Sequence, residues 1–107
     1  MDWNAFTNTL AAGAKNLAAD LWNGYAHAAQ ADAEAFAATS KANIQRWSKE
    51  VAEGQITQDD FVDNVAAEAA IAQMATLTKA LAAQEEVQRF RDHLGKLVVS
   101  AALSALV

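Results

Sequence analysis

At 107 residues, with 13 acidic against 8 basic side chains and a net charge of −5, the chain has room for one domain and no basic stripe suited to a nucleic-acid duplex. It contains no cysteine, which excludes disulfides, thiolate metal sites and a cysteine nucleophile. Alanine fills 28 positions and proline none, so composition favours helix strongly while each residue offers little apolar area to bury.

The first predicted element is a long arm over about residues 3–53. An apolar or small residue recurs from Trp3 through Phe6, Leu10, Ala14, Leu17 and Leu21 to Tyr25, Ala29, Ala33, Phe36, Ser40, Ile44, Trp47 and Val51. The step is about 3.7 residues, close to the period of a nearly straight α-helix. As one helix the arm would be about 75 Å long. Gly13 and Gly24 each weaken it by roughly 1 kcal/mol relative to alanine and are the places for a bend. Gly24 with Ala28, and the series Ala26, Ala29, Ala33 and Ala37, put small residues at helical spacing, which predicts close intramolecular approach of another backbone.

Next comes the clearest punctuation in the chain, Glu53-Gly54-Gln55-Ile56-Thr57-Gln58-Asp59-Asp60-Phe61. Gly54 can take the left-handed conformation that closes a helix, and Thr57 can accept from the free N–H groups of the next one. Asp60 stands where a carboxylate answers that cap, and Ile56 and Phe61 have the spacing of a hydrophobic staple. A turn is predicted near residues 54–57. The same residues resemble half of a calcium loop, but that alignment puts Lys49 and Val51 at ligand positions where neither can coordinate the ion.

The second arm, about residues 58–107, repeats the stripe with Phe61, Val65, Ala69, Ala72, Val87, Phe90, Leu94 and Val98. Met74, Leu77 and Leu81 fall on nearly the opposite side, continued by Val99, Leu103 and Leu106. One antiparallel neighbour covers only one of these faces. With no Gly or Pro between Gly54 and Gly95, the expected fold is all-α: a long antiparallel helical hairpin that packs as a bundle through self-association. The alternative is a compact three- or four-helix bundle with a break near residues 82–86. Asp59, Asp60 and Asp63 at the start of the second arm, and Arg89, Arg91 and Lys96 toward its end, follow the order the helix dipole favours.

No residue set points to catalysis, a metal or a cofactor. His27 and His93 lie far apart in a hairpin register, and neither has the Glu-x-x-His partner of carboxylate metal bundles. The carboxylate pairs Asp59-Asp60 and Glu85-Glu86 point about 100° apart on a helix, which suits capping and solvation. Trp22-Asn23-Gly24 resembles the Trp-x-Gly signature of the small secreted helical hairpins called WXG100 proteins, whose length, acidity and lack of cysteine the chain shares. That resemblance implies a secreted hairpin turning at the tripeptide. Here the tripeptide lies within the first arm, thirty residues before the turn signature, and the family's tyrosine-containing tail signal is absent.

The expected function is therefore that of a non-enzymatic structural or interaction protein, a hairpin that assembles with copies of itself. The expected contact surface is Met74, Leu77, Leu81, Val99, Leu103 and Leu106, together with Trp3, Phe6 and Leu10 at the charge-poor open end. Neither nucleic acid nor a small-molecule substrate is an expected partner. The alternative is a membrane-active or hydrophobic-surface-coating hairpin, disfavoured by the scarcity of flanking lysines. The N-terminus lacks a secretory signal, and the longest apolar run, residues 97–107, is too short to span a bilayer, so the default expectation is a cytoplasmic protein.

Overall fold

The computed structural model describes residues 2–21, 25–80 and 83–105. Among the described residues six helices follow one another: α1 (Trp3–Leu21), α2 (Ala26–Thr39), α3 (Lys41–Ala52), α4 (Gln58–Ile71), α5 (Ala75–Lys79) and α6 (Gln84–Ala105). The all-α class is as expected, and the molecule is the compact bundle of the alternative reading rather than the long hairpin. A molecule of 41 × 23 × 21 Å cannot hold a 75 Å arm; each predicted arm is broken and folded back on itself.

The first arm is divided into helices that pack against one another, α2 lying along α1. The Asp2 carboxylate starts α1 by accepting from the backbone N–H groups of Asn4 and Ala5 at 3.0 and 3.2 Å. Phe6, Leu10, Ala14 and Ala18 then form a fully buried stripe. Gly13 does not bend the helix: a Cβ there would come within 3.2 Å of Leu97 in α6, so the glycine serves a close approach between two helices. Beyond residues 22–24, which lie outside the described residues, α2 packs along α1 more extensively than any other pair of helices. Ala29, Ala33 and Ala37, each without exposure, line α2 and let the backbones come close. Between α2 and α3 the backbone ladder continues, Ser40 N–H to Phe36 and Ile44 N–H to Ser40, and the chain only kinks at the buried Ser40.

The turn between α3 and α4 is built from the residues that predict it. Gly54 has φ +75°, its N–H donates to Val51, and the Gln55 N–H donates to Glu50, which together close α3 in a Schellman motif. Thr57 and Asp60 complete a reciprocal capping box, with both bonds at 3.0 Å. Ile56 packs half-buried against the core, and Phe61 is fully buried with its ring edge toward Trp47, centroids 6.3 Å apart.

The second arm breaks where its sequence shows no turn. α4 ends at Ile71, Ala72 is extended at φ −70° and ψ 139°, and the five-residue α5 begins after Met74. α6 then runs between α4 and α1, which cover it from two sides. Val87, Phe90, Leu94 and Val98 are buried, as are Val99, Ala101 and Ala102. Met74, Leu77 and Val99 of the second apolar face are thus covered by the same chain. Each fully buried Phe or Leu contributes about 1.5–3 kcal/mol of transfer free energy, and Phe6, Phe61 and Phe90 anchor one continuous core.

Candidate functional site

The fold redistributes the residues expected to form a contact surface. Met74, Leu77, Val99, Phe6 and Leu10 are each no more than 5 % exposed and belong to the chain's own core. Trp3 and Leu103 are half-buried against that core, and Trp3 is further occupied by Phe6, at 4.7 Å between ring centroids, and by the Lys41 ammonium 5.1 Å above its ring. Leu81 and Leu106 lie outside the described residues. The described ones among these side chains therefore do not form a free second face. The physical reason is the reversal of both arms, which brings α1 and α2 over surfaces that a straight hairpin would leave bare.

What remains exposed is elsewhere. Ile71, the last residue of α4, is 85 % exposed, the one large apolar side chain so placed among the described residues. It stands at the edge of a groove of about 560 Å³ between the α2–α3 kink and the end of α4. Ala35, Phe36 and Thr39 of α2 form one wall, and Ala72, Gln73 and Ala75 of the α4–α5 connection form another. Across one end the Asn43 side-chain amide donates to the Glu68 carboxylate, and Glu68 is the single charged residue in the lining.

Beside this groove two charged side chains hold the break in the second arm. Asp32 faces inward from α2 at 4 % exposure, and its two carboxylate oxygens accept from the Thr76 and Leu77 backbone N–H groups at 2.9 and 2.8 Å. These are first-turn donors of α5 with no partner inside that helix, so an acid 44 and 45 residues away serves as its cap. From the other side Arg91 of α6 donates through Nε and Nη2 to the Ala72 carbonyl at 3.2 and 2.8 Å, satisfying an acceptor at the end of α4. A helix of five residues has too few hydrogen bonds to stand alone. α5 is held by those bonds and by Met74 and Leu77, which are 2 % and 1 % exposed.

The other hollows have a different character. One of about 550 Å³ beside Trp47 is edged by charges of both signs, and its Arg46–Glu50 and Lys49–Glu53 pairs, at 3.6 and 3.8 Å, join residues four apart, with Glu50 half-buried and the other three exposed. Another lies between Thr78 and the start of α6, where Glu85 and Glu86 sit in the first helical turn, the end the dipole favours for acids. His27 and His93 are both exposed, and His93 Nδ1 lies 2.8 Å from the Arg89 carbonyl oxygen of its own helix. Among the described residues no three His, Asp or Glu side chains gather as a metal site would require, and no helix is long and apolar enough to cross a membrane.

Sequence reasoning passed over Ile71, Asp32 and Arg91. Asp32 had a usable signal: it falls three residues after Ala29 and four before Phe36, on the apolar side of α2, where an acid needs a partner. Ile71 belongs to neither apolar stripe of its arm. The Trp22-Asn23-Gly24 tripeptide lies outside the described residues, so its geometry adds nothing to the resemblance it suggested. No protein-family model, no curated protein and no solved structure matches the chain.

Proposed function

We propose that the protein is a non-enzymatic interaction protein, a small helical bundle that pairs with copies of itself through the groove beside Ile71. The observation that carries this reading is an isoleucine 85 % exposed at the edge of an apolar groove on the same face. Such a knob beside a hollow is self-complementary: about a two-fold axis, Ile71 of each copy enters the groove of the other. Charge favours the same face. Copies with a net charge of −5 repel one another, and the groove adds little to that repulsion because its lining holds a single carboxylate, which already accepts from Asn43.

Because the chain has no cysteine, single thiols report contact cleanly. Thr39→Cys and Gln73→Cys, both exposed residues of the groove lining, are mixed under mild oxidation. Disulfide-linked dimers are expected much faster than with Gln88→Cys, which is exposed on α6. Equal, slow cross-linking from both sets would overturn the reading. Flotation with liposomes by a protein that stays monomeric in solution would favour the membrane-active alternative instead.

A further inference from the structure

We propose that residues 72–80 form a latched strap, a segment that lifts from α2 as a unit while the rest of the bundle stays folded, with the Asp32 carboxylate as its latch. Three independent features point to it. α5 is a five-residue helix whose main packing partner is α2. Of residues 75–80 only Leu77 is buried; the other five are exposed. Its attachment is concentrated in a few groups: the apolar anchors Met74 and Leu77, the two bonds to Asp32, and Arg91 on the Ala72 carbonyl at its base. Segments with few buried apolar contacts and exposed backbone hydrogen bonds open locally, at free energies below that of global unfolding.

The opening has a consequence for the surface. Ala72, Gln73 and Ala75 form one wall of the groove beside Ile71, so lifting the strap removes that wall and bares the side of α2 that α5 covers. The Met74 and Leu77 side chains come out with it. Asp32 thereby sets how much apolar surface the molecule presents, whatever binds there.

Native-state hydrogen exchange on the full chain tests this. In the wild type the amides of Thr76, Leu77, Thr78 and Ala80 should exchange at least tenfold faster than those of Phe90 and Leu94, with rates nearly independent of sub-denaturing urea. Thr57→Ala removes a cap that stays intact when the strap lifts. It should speed the Phe90 and Leu94 amides about fivefold and leave the strap amides within about twofold of wild type. Asp32→Asn turns one accepting oxygen into a donor facing an N–H and should speed the strap amides at least tenfold. If the strap amides share the urea dependence of the core, or follow the core in Thr57→Ala, the segment opens only with the whole bundle and the proposal fails. Unchanged strap exchange in a folded Asp32→Asn would reject the latch. Should Asp32→Asn not fold, the wild-type urea series and Thr57→Ala still decide the matter.

Discussion

The two connections that flank α4 solve the same problem by opposite means. At the α3–α4 turn, the orphan backbone groups find their partners within six residues: Gly54, Gln55 and Ile56 donate back into α3, and Thr57 and Asp60 cap each other. At the α4–α5 connection the Ala72 N–H bonds locally to Ala69, but the Thr76 and Leu77 N–H groups are satisfied by Asp32 of α2 and the Ala72 carbonyl by Arg91, 19 residues further on. A locally closed turn forms as soon as its own residues meet. A turn closed by distant side chains exists only once α2, α5 and α6 have assembled, so its stability is coupled to the tertiary fold.

Substitutions sharpen that contrast. The largest effect is expected from Asp32→Ala, which leaves two N–H groups without acceptors where the helices meet; urea denaturation should show a loss of about 2–3 kcal/mol. A loss under about 0.5 kcal/mol would mean that water replaces the carboxylate and the connection does not depend on it. Gly54→Val is next, at about 1–2 kcal/mol. No atom lies within 4 Å of a Cβ at that position, so the whole effect is the φ of +75°, and Gly54→Asn should recover much of it. An unchanged melting temperature in Gly54→Val would contradict the left-handed assignment. Thr57→Ala is expected to destabilise by about 1 kcal/mol, the usual value of a single helix cap. Smallest is Lys49→Ala, which breaks an exposed pair to Glu53 and should stay within about 0.5 kcal/mol of wild type.

The same contrast explains what the sequence discloses. The helical class follows from alanine content and a steady apolar period, and the turn follows from Gly54, Thr57 and Asp60, because capping chemistry acts over a few residues. The break after Ile71 is invisible by that route. Ile71-Ala72-Gln73-Met74 contains no glycine, proline or capping pair, and the acid that caps the helix after it lies 44 residues before Thr76. The second apolar face of the last helix is legible as a face but not by its cover. A leucine-rich face accepts another copy as readily as α1, and the packing of α1 on α6 decides between them. Once α1 packs on α6 and α2 on α5, Val99, Met74 and Leu77 become core, and Ile71, which fits neither stripe, is the large apolar side chain left outside among the described residues.

The central functional claim, pairing through the groove beside Ile71, is tested most directly by absolute mass from light scattering on a sizing column, from about one to a hundred micromolar. The account predicts a discrete dimer or larger species for the wild type, and an 11.4 kDa monomer of unchanged helicity for Ile71→Glu. A wild type that remains monomeric throughout, or an assembly that survives Ile71→Glu, would contradict it.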